Sequence, residues 1–356
     1  MLEQWQAQIA QAGREGSVIQ LRGGGSKAFY GQEPHGDVLD TRSHTGIVNY
    51  EPTELVITAR AGTPLKELEA VLAEQRQMLA FEPPHFGDAT VGGCISSGLS
   101  GPRRARAGSL RDFVLGAQLL DGNGKRLNFG GQVMKNVAGY DVSRLLAGSL
   151  GTLGIIAEVS LKVLPVPDSE QTRVLALGQA EAIATMRRWA GLPLPISATA
   201  WHDGELRVRL SGAASGVAAA AELVGGSTLQ DKLAQQYWLA LREQQLPFFT
   251  PGATPLWRVA LPATAPVMAI DGMLHDDNTL LEWNGTQRWI RSDVPAVTLR
   301  EMAKQAGGHA TLFRGGDKTQ GVFSPLQPGL LALHQNLKRE FDPSGIFNPG
   351  RMYPVI

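Results

Sequence analysis

One cysteine, Cys94, stands in a chain of 356 residues. That scarcity excludes a disulfide framework, a CxxC redox pair and a cysteine-held iron–sulfur cluster. It fits a reducing compartment, so a cytoplasmic location is expected, one that leaves room for peripheral attachment to the inner membrane through partners. No stretch approaches the 18 consecutive apolar residues of a membrane span. The opening MLEQWQAQIAQAGREG has no apolar core, so a signal peptide is not expected. Surplus charge is also missing. Lys+Arg and Asp+Glu both number 33, which argues against a nucleic-acid or polybasic membrane partner and leaves little repulsion against association with other subunits. The seven histidines (His35, His44, His85, His202, His275, His309 and His334) show no spacing that would pair them on a metal, and none is expected.

Glycine, by contrast, is abundant. Of 42 glycines, 15 lie between His85 and Gly154. The densest stretch, Pro83 to Asp112, reads PPHFGDATVGGCISSGLSGPRRARAGSLRD. It has no apolar run from which to build a core. It offers unshielded N–H groups, short hydroxyls and the guanidinium groups of Arg103, Arg104, Arg106 and Arg111, which suit an anionic ligand. A loop of this length inside a compact domain is usually functional. Near the start, a short apolar run ends in Arg22-Gly23-Gly24-Gly25-Ser26-Lys27. Gly23, Gly25 and Ala28 satisfy the G-x-G-x-x-A nucleotide fingerprint, and Asp40 sits where its acid would. That fingerprint needs a helix directly after the glycines. Gly31, Pro34 and Gly36 forbid one, so the loop reads as a phosphate cradle without a following helix.

Residues 2–13 have amphipathic helical periodicity, with Leu2, Trp5 and Ile9 on one side. Strands are expected at 18–21, 55–59 and 113–120, the last turning through Asp121-Gly122-Asn123-Gly124 into a partner. A helix capped by Thr63 follows Pro64. Val159, Leu161 and Val163 alternate as one face of a strand, and Pro165 and Pro167 mark a boundary near 166. Beyond it, helices alternate with hairpin-joined strands, which suggests an antiparallel sheet covered on one face. Residues 326–341 read as a last helix, before an irregular tail.

Four segments, in order, resemble one family. They are Leu21 to Ser26; Ala89-Thr90-Val91-Gly92-Gly93 with Ser97-Gly98, Ser100-Gly101-Pro102-Arg103-Arg104, Arg106 and Gly108; Gly139-Tyr140-Asp141 through Gly148-Ser149-Leu150-Gly151-Thr152-Leu153-Gly154-Ile155-Ile156; and Phe341-Asp342-Pro343 through Asn348-Pro349-Gly350. Together they resemble the vanillyl-alcohol-oxidase-like, PCMH-type FAD-binding domain shared with bacterial D-lactate dehydrogenases and glycolate oxidases. The fold this implies is α+β. It has an FAD-binding domain of two α+β subdomains over 1–166, a short antiparallel α+β cap over 167–325, and a C-terminal helix and tail (326–356) that return to the FAD domain.

The resemblance also implies the site. Arg22, Gly23, Gly24, Gly25, Ser26 and Lys27 would cradle the FAD pyrophosphate. Pro83, Thr90, Val91, Gly92, Gly93, Ser96, Ser97, Gly98, Gly101, Arg106, Gly108 and Asp112 would meet the isoalloxazine edge and pyrophosphate. Gly151, Gly154, Ile155 and Ile156 would serve the adenine and ribose side, and Asn348 would close the site. Covalent members carry a histidine beside the first glycines. This loop has none, so the FAD is expected to be non-covalent. Lys135 and Tyr140 either face the flavin or leave Asp141 merely to cap a helix.

No His-rich, Gly-Asp-Gly-Asn motif of the larger catalytic subunits occurs between 170 and 325. Candidates for the base and the carboxylate-binding cation are therefore Lys135, His309 and Arg314, with Trp257, Arg258 and Arg288 nearby. On an alternating strand, 309 and 314 should point to opposite faces. The short cap brings the resemblance closest to the flavin subunits of bacterial glycolate oxidases. That implies oxidation of glycolate to glyoxylate alongside a second flavin subunit and an iron–sulfur subunit. A stand-alone FAD dehydrogenase of another 2-hydroxy acid and a non-catalytic flavin-bearing scaffold remain alternatives. Trp257, Trp283 and Trp289 are either buried anchors for those partners or filling for the cap's own core.

Overall fold

The computed structural model describes residues 1–131, 141–270 and 274–356. Its contacts divide the chain into two compact units: 1–100, 108–166 and 325–356 form the first, and 101–107 with 167–324 the second.

The first unit opens with α1 (Leu2–Glu15), whose Trp5, Ile9 and Ala12 are buried, and which ends at Gly16 in the left-handed conformation. Strands β1 (Ile19–Arg22) and β2 (Asp37–Asp40) pair in parallel, Ile19 opposite Asp37. A parallel pair cannot be joined by a tight hairpin, so the glycine-rich residues 23–36 make the crossover, without a helix. Next come β3 (Ile47–Glu51), β4 (Val56–Arg60), α2 (Leu65–Glu74), β5 (Gln77–Met78) and α3 (Val91–Ser97); then, after the single turn α4 (Arg104–Ala107), which belongs to the second unit, the single turn α5 (Leu110–Phe113), β6 (Val114–Leu120), β7 (Arg126–Gly130), β8 (Ile155–Lys162) and β9 (Leu164–Pro165). An antiparallel sheet runs β3-β4-β8-β6-β7. Its middle strand β8 is buried on both faces, which explains the unbroken apolar run Ile155-Ile156-Ala157. Asp121 builds the β6–β7 turn by accepting from the N–H of Asn123 (2.9 Å) and Lys125 (2.8 Å). Pro64, not Thr63, occupies the N-cap of α2; the Thr63 hydroxyl instead accepts from the Gly46 N–H at 2.9 Å.

The second unit contains β10 (Ser169–Ala176), α6 (Gln179–Ala190), β11 (Ile196–His202), β12 (Glu205–Gly212), α7 (Ala214–Val224), β13 (Ser227–Leu229), α8 (Asp231–Arg242), β14 (Leu256–Ala260), β15 (Thr279–Glu282), β16 (Gln287–Arg291), α9 (Ala296–Gln305) and β17 (His309–Arg314). Its eight strands form one sheet, β13-β10-β12-β11-β15-β16-β14-β17, and the recorded pairs are all antiparallel. One face packs on α6, α7 and α9 through Trp201, Leu206, Val208, Leu210, Val259 and Leu312. The expectation of a sheet covered on one face only is not met. Trp238 of α8 donates to the Thr172 hydroxyl at 2.9 Å on the other side, while Arg207 and Arg209 lie over the rings of Tyr237 and Trp238. That face is covered by cation–aromatic contacts rather than by aliphatic packing, which is why apolar periodicity does not announce it.

The three tryptophans belong to the second unit's own core. Trp257, Trp283 and Trp289 are all buried, and the Trp289 indole donates to Glu282 at 2.6 Å and packs edge-on against Phe249 and Phe313. A side chain already buried in its own unit is not available as an interface anchor, so the core alternative holds. The chain then returns to the first unit as α10 (Pro328–Phe341) and a tail. The tail bridges Phe347 to Ile19 of β1.

Beneath α1, His44 stacks edge-on against Trp5 at 5.2 Å, and its buried Nε2 has no hydrogen-bond partner among the described residues. Burial, then the nearby charges of Arg60 and the N-terminus, hold its pKa below the ordinary 6.5. As the pH falls through about 6.5 the unfolded chain takes up a proton that the folded chain refuses, so stability present above that pH is lost below it. His44→Phe keeps the stacked ring and removes the titration. We expect the urea midpoint of the wild type to fall more between pH 7.5 and pH 5.5 than that of His44→Phe; equal falls would count against this role.

Candidate functional site

The ends of four segments meet in the first unit. Arg22 closes β1, and residues 23–28 follow as a turn in which Gly25 has φ 72°. Thr90 caps α3, its hydroxyl accepting from the Gly93 N–H. The turn 148–154 leads into β8, and the tail supplies Asn348 and Arg351. Between them lies a cleft of about 220 Å³, lined by Arg22 to Ala28, Thr90, Gly93, Ser96, Ser97, Leu150, Asn348 and Arg351, among others. A smaller cavity of about 80 Å³ shares Arg22, Gly23, Gly93, Ser96, Leu150 and Asn348 with it and adds Thr41, Ala61, Gly92, Gly151, Gly154, Ile155 and Ile156.

Asn348 ties three of the segments together. Its side-chain oxygen accepts from the Leu21 N–H at 3.0 Å, its amide nitrogen donates to the Leu150 carbonyl at 2.7 Å, and its own N–H donates to Ile19 at 3.1 Å. Lys338 fixes the same region from below: Nζ donates to the carbonyls of Thr152 (2.8 Å) and Phe347 (2.7 Å) and to the Asp342 carboxylate (2.7 Å). At the far end of α3, Gly98 takes the left-handed conformation, and a Cβ there would come within 2.8 Å of the Gly148 backbone. The N–H groups of Gly148 and Leu150 donate to Ile95 and Ser96, which docks the turn 148–154 onto the helix.

The distribution of backbone donors shows what the cleft can hold. The first amides of α3 are already used: Val91 donates to Thr63, Gly92 to Ala61 and Gly93 to the Thr90 hydroxyl. Among the described residues nothing accepts from the N–H of Gly23, Gly24, Gly25 or Ser26. Successive free amides around a left-handed glycine make an anion nest. Arg22, Lys27 and Arg351 add positive charge to the same wall, and among the described residues no Asp or Glu lines either cavity. Arg351 is buried, and its Nη1 has no acceptor among the described residues. An anion-receiving wall next to the apolar Leu150, Ile155 and Ile156 fits a molecule with a diphosphate and flat ring systems, so the residues present fit FAD. Among the described residues no histidine, cysteine or tyrosine lines these two cavities. Cys94 is buried in α3 and burial pushes its thiol up to about 12.

The candidates from sequence therefore divide. Arg22 to Lys27, Thr90, Gly92, Gly93, Ser96, Ser97, Gly151, Gly154, Ile155, Ile156 and Asn348 come together at the cleft. The remaining ones lie outside its lining. Pro83 and Val91 are buried, and Gly98 is the C-cap just described. Asp112 closes a capping box on Ser109, accepting from its N–H (2.8 Å) and hydroxyl (2.7 Å), with Gly108 tucked against it. Gly101 and Arg106 belong to the second unit, where the Gly101 carbonyl accepts from the Trp283 indole at 3.0 Å. In the same segment Arg103 pairs with Glu170 at 2.5 Å and Arg104 lies 4.3 Å over the Trp283 ring. Those two guanidinium groups hold a strap to a sheet, where the sequence suggests phosphate ligands.

Lys135 and Tyr140 fall outside the described residues. His309 and Arg314 open and close β17. The expectation that they face opposite ways is corrected by a bulge. His309 pairs with Ala260 and Arg314 with Leu256, but the register slips between Leu256 and Trp257. Ala260 and Leu256 share a face of β14, so their partners do too. The two still stand about 16 Å apart along the strand, too far to grip one small substrate. Arg288 is buried and spent on the carbonyls of Ala265 (2.8 Å) and Pro266 (2.5 Å). Among the described residues no three His, Cys, Asp or Glu side chains converge as a metal would require. No described helix is long and apolar enough to cross a membrane.

Comparison with known proteins adds five findings. Residues 2–130 match the model of a family described as FAD binding domain. Glycolate oxidase subunit GlcE of Escherichia coli (strain K12) is 49% identical over 350 residues, which cover 98% of this chain and 96% of that protein. D-lactate dehydrogenase of Archaeoglobus fulgidus is 36% identical over 149 residues, covering 41% of this chain and 33% of the dehydrogenase. Glycolate oxidase subunit GlcD of Bacillus subtilis is 32% identical over 158 residues, again a third (33%) of that protein. Among solved structures, an alkyldihydroxyacetonephosphate synthase superposes with a TM-score of 0.66 at 16% identity, covering 97% of this chain and 74% of the synthase. At that identity the likeness concerns the fold.

Proposed function

The chain belongs to the family of glycolate oxidase subunit GlcE, and on that premise we propose that it is the FAD-binding subunit of a glycolate-oxidising complex. The observation that carries the reading is identity spread over 98% of this chain and 96% of the relative, both units included. FAD when bound supplies a two-electron acceptor for the substrate. The chain's own residues hold it: the amides of Gly23 to Ser26 receive the diphosphate, Asn348 fixes the strand end and the turn that frame it, and Leu150, Ile155 and Ile156 give apolar surface to the rings. The described lining offers donors and no covalent tether, in keeping with a non-covalent flavin.

Oxidising glycolate to glyoxylate removes one hydride from carbon and one proton from the hydroxyl, which asks for a base. Among the described residues no His, Asp or Glu lines either cavity of the first unit. That observation favours a second reading, in which the flavin here relays electrons and a second flavin subunit meets the substrate. An iron–sulfur subunit would then take the electrons onward, since a single buried cysteine cannot hold a cluster in this chain.

Anaerobic glycolate added to the FAD-loaded full chain, alone and then with its partner subunits, separates the two. Bleaching of the flavin in the isolated chain places hydride transfer here. Bleaching only with partners supports the relay. No bleaching of this chain's flavin in either setting would contradict the glycolate assignment.

A further inference from the structure

We propose that Arg351 is a cofactor-binding residue whose Nη1 donates a charge-assisted hydrogen bond to the diphosphate of FAD. The proposal rests on the reading of the cleft as the FAD site. It concerns a residue one position beyond the tail motif Phe341 to Gly350.

Three observations carry it. The first is fixation. Nη2 of Arg351 donates to the Ala28 carbonyl at 2.7 Å, its N–H donates to Asn348 at 3.2 Å, and its own carbonyl accepts from the Gln32 N–H at 2.9 Å. The loop is moulded around it: a Cβ on Gly31 would come within 2.9 Å of that carbonyl. The guanidinium is therefore held from behind by the loop that carries the free amides. The second is need. Arg351 is 7% exposed, and its Nη1 is buried with no acceptor among the described residues. An unpaired donor on a buried charge is costly, and such groups are normally satisfied. Burial lowers its pKa, with the Glu33 charge acting the other way.

The third is place. Arg351 lines the same cleft as Gly23 to Ser26, whose four amides also have no acceptor among the described residues. Diphosphate is the anionic part of FAD; the isoalloxazine and adenine rings are neutral. A buried guanidinium beside an anion nest therefore selects that part of the ligand. Arg351 also links the tail to the loop that follows β1.

The test uses the full chain stripped of flavin and titrated with FAD at low and at high salt, following the quench of flavin fluorescence. Arg351→Met should bind FAD about 10- to 100-fold more weakly at low salt, with a shallower loss of affinity as salt rises. Arg351→Lys should recover part of the difference. The melting temperature of flavin-free Arg351→Met should be no lower than that of the wild type, because a buried unpaired charge has been removed. Binding within twofold of the wild type would overturn the proposal. So would weaker binding with an unchanged salt dependence and a lower melting temperature, which is the signature of a purely structural role. Failure of the wild-type chain to bind FAD would instead remove the reading of the cleft on which the proposal stands.

Discussion

Gly24→Ala should abolish flavin retention. A Cβ on residue 24 would lie 1.4 Å from the Asp88 carbonyl oxygen and 2.6 Å from its carbon. The obstacle is backbone, so no rotamer change relieves it. Either the loop after β1 or the segment before α3 must move. Moving the loop scatters the amides of Gly23 to Ser26; moving the segment displaces Thr90, whose hydroxyl would already sit 2.3 Å from a Cβ on Gly23. Overpacking of this kind costs about 3 kcal/mol, which is over a hundredfold in affinity. Gly216→Ala, inside α7 with nothing within 4 Å of the new atom, is the control and should be harmless. Flavin content after gel filtration reads the result. A yellow Gly24→Ala chain would show that the loop lies elsewhere.

Lys338→Met should have the largest effect on stability. The ammonium is buried against the Asp342 carboxylate, which is 1% exposed and also accepts from the N–H groups of Ile346 (3.1 Å) and Phe347 (2.8 Å). Removing the lysine leaves a buried carboxylate without its cation and frees the carbonyls of Thr152 and Phe347. Breaking one side of such a pair costs about 3–5 kcal/mol. The loss should be seen in urea unfolding followed by far-ultraviolet circular dichroism. The flavin should go with it, because Thr152 and Phe347 adjoin the turn and the asparagine that frame the cleft. Adding Asp342→Asn to Lys338→Met removes the stranded charge and should recover part of the loss. A change under about 1 kcal/mol in the single variant would show that the triad is not what holds the tail.

How much of this is legible in the sequence depends on what each segment packs against. The cleft's loop is legible because glycines, a serine and flanking cations in one run have few other uses, and Gly31, Pro34 and Gly36 exclude the helix of the rival fingerprint. The turn 148–154 and Asn348 come from the family resemblance. What the sequence cannot supply is the reason each glycine is there. Gly92 suggests room for a ligand, yet a Cβ there would meet Ala61 at 2.7 Å, so the helix α3 itself requires the glycine. Arg103 and Arg104 look like phosphate ligands and are occupied by Glu170 and Trp283, nearly seventy and nearly two hundred residues away. Arg351 carries no local signal, because its neighbours Ala28 and Gln32 lie at the other end of the chain. The bulge that turns Arg314 is equally silent, since a one-residue slip depends on the partner strand.

The central claim, that this cleft holds one dissociable FAD, is tested most directly by precipitating the purified full chain with acid and assaying the flavin on both sides. The account predicts one FAD per chain, all of it in the supernatant. Flavin left in the pellet, or a chain that neither carries FAD nor takes it up when supplied, would contradict it.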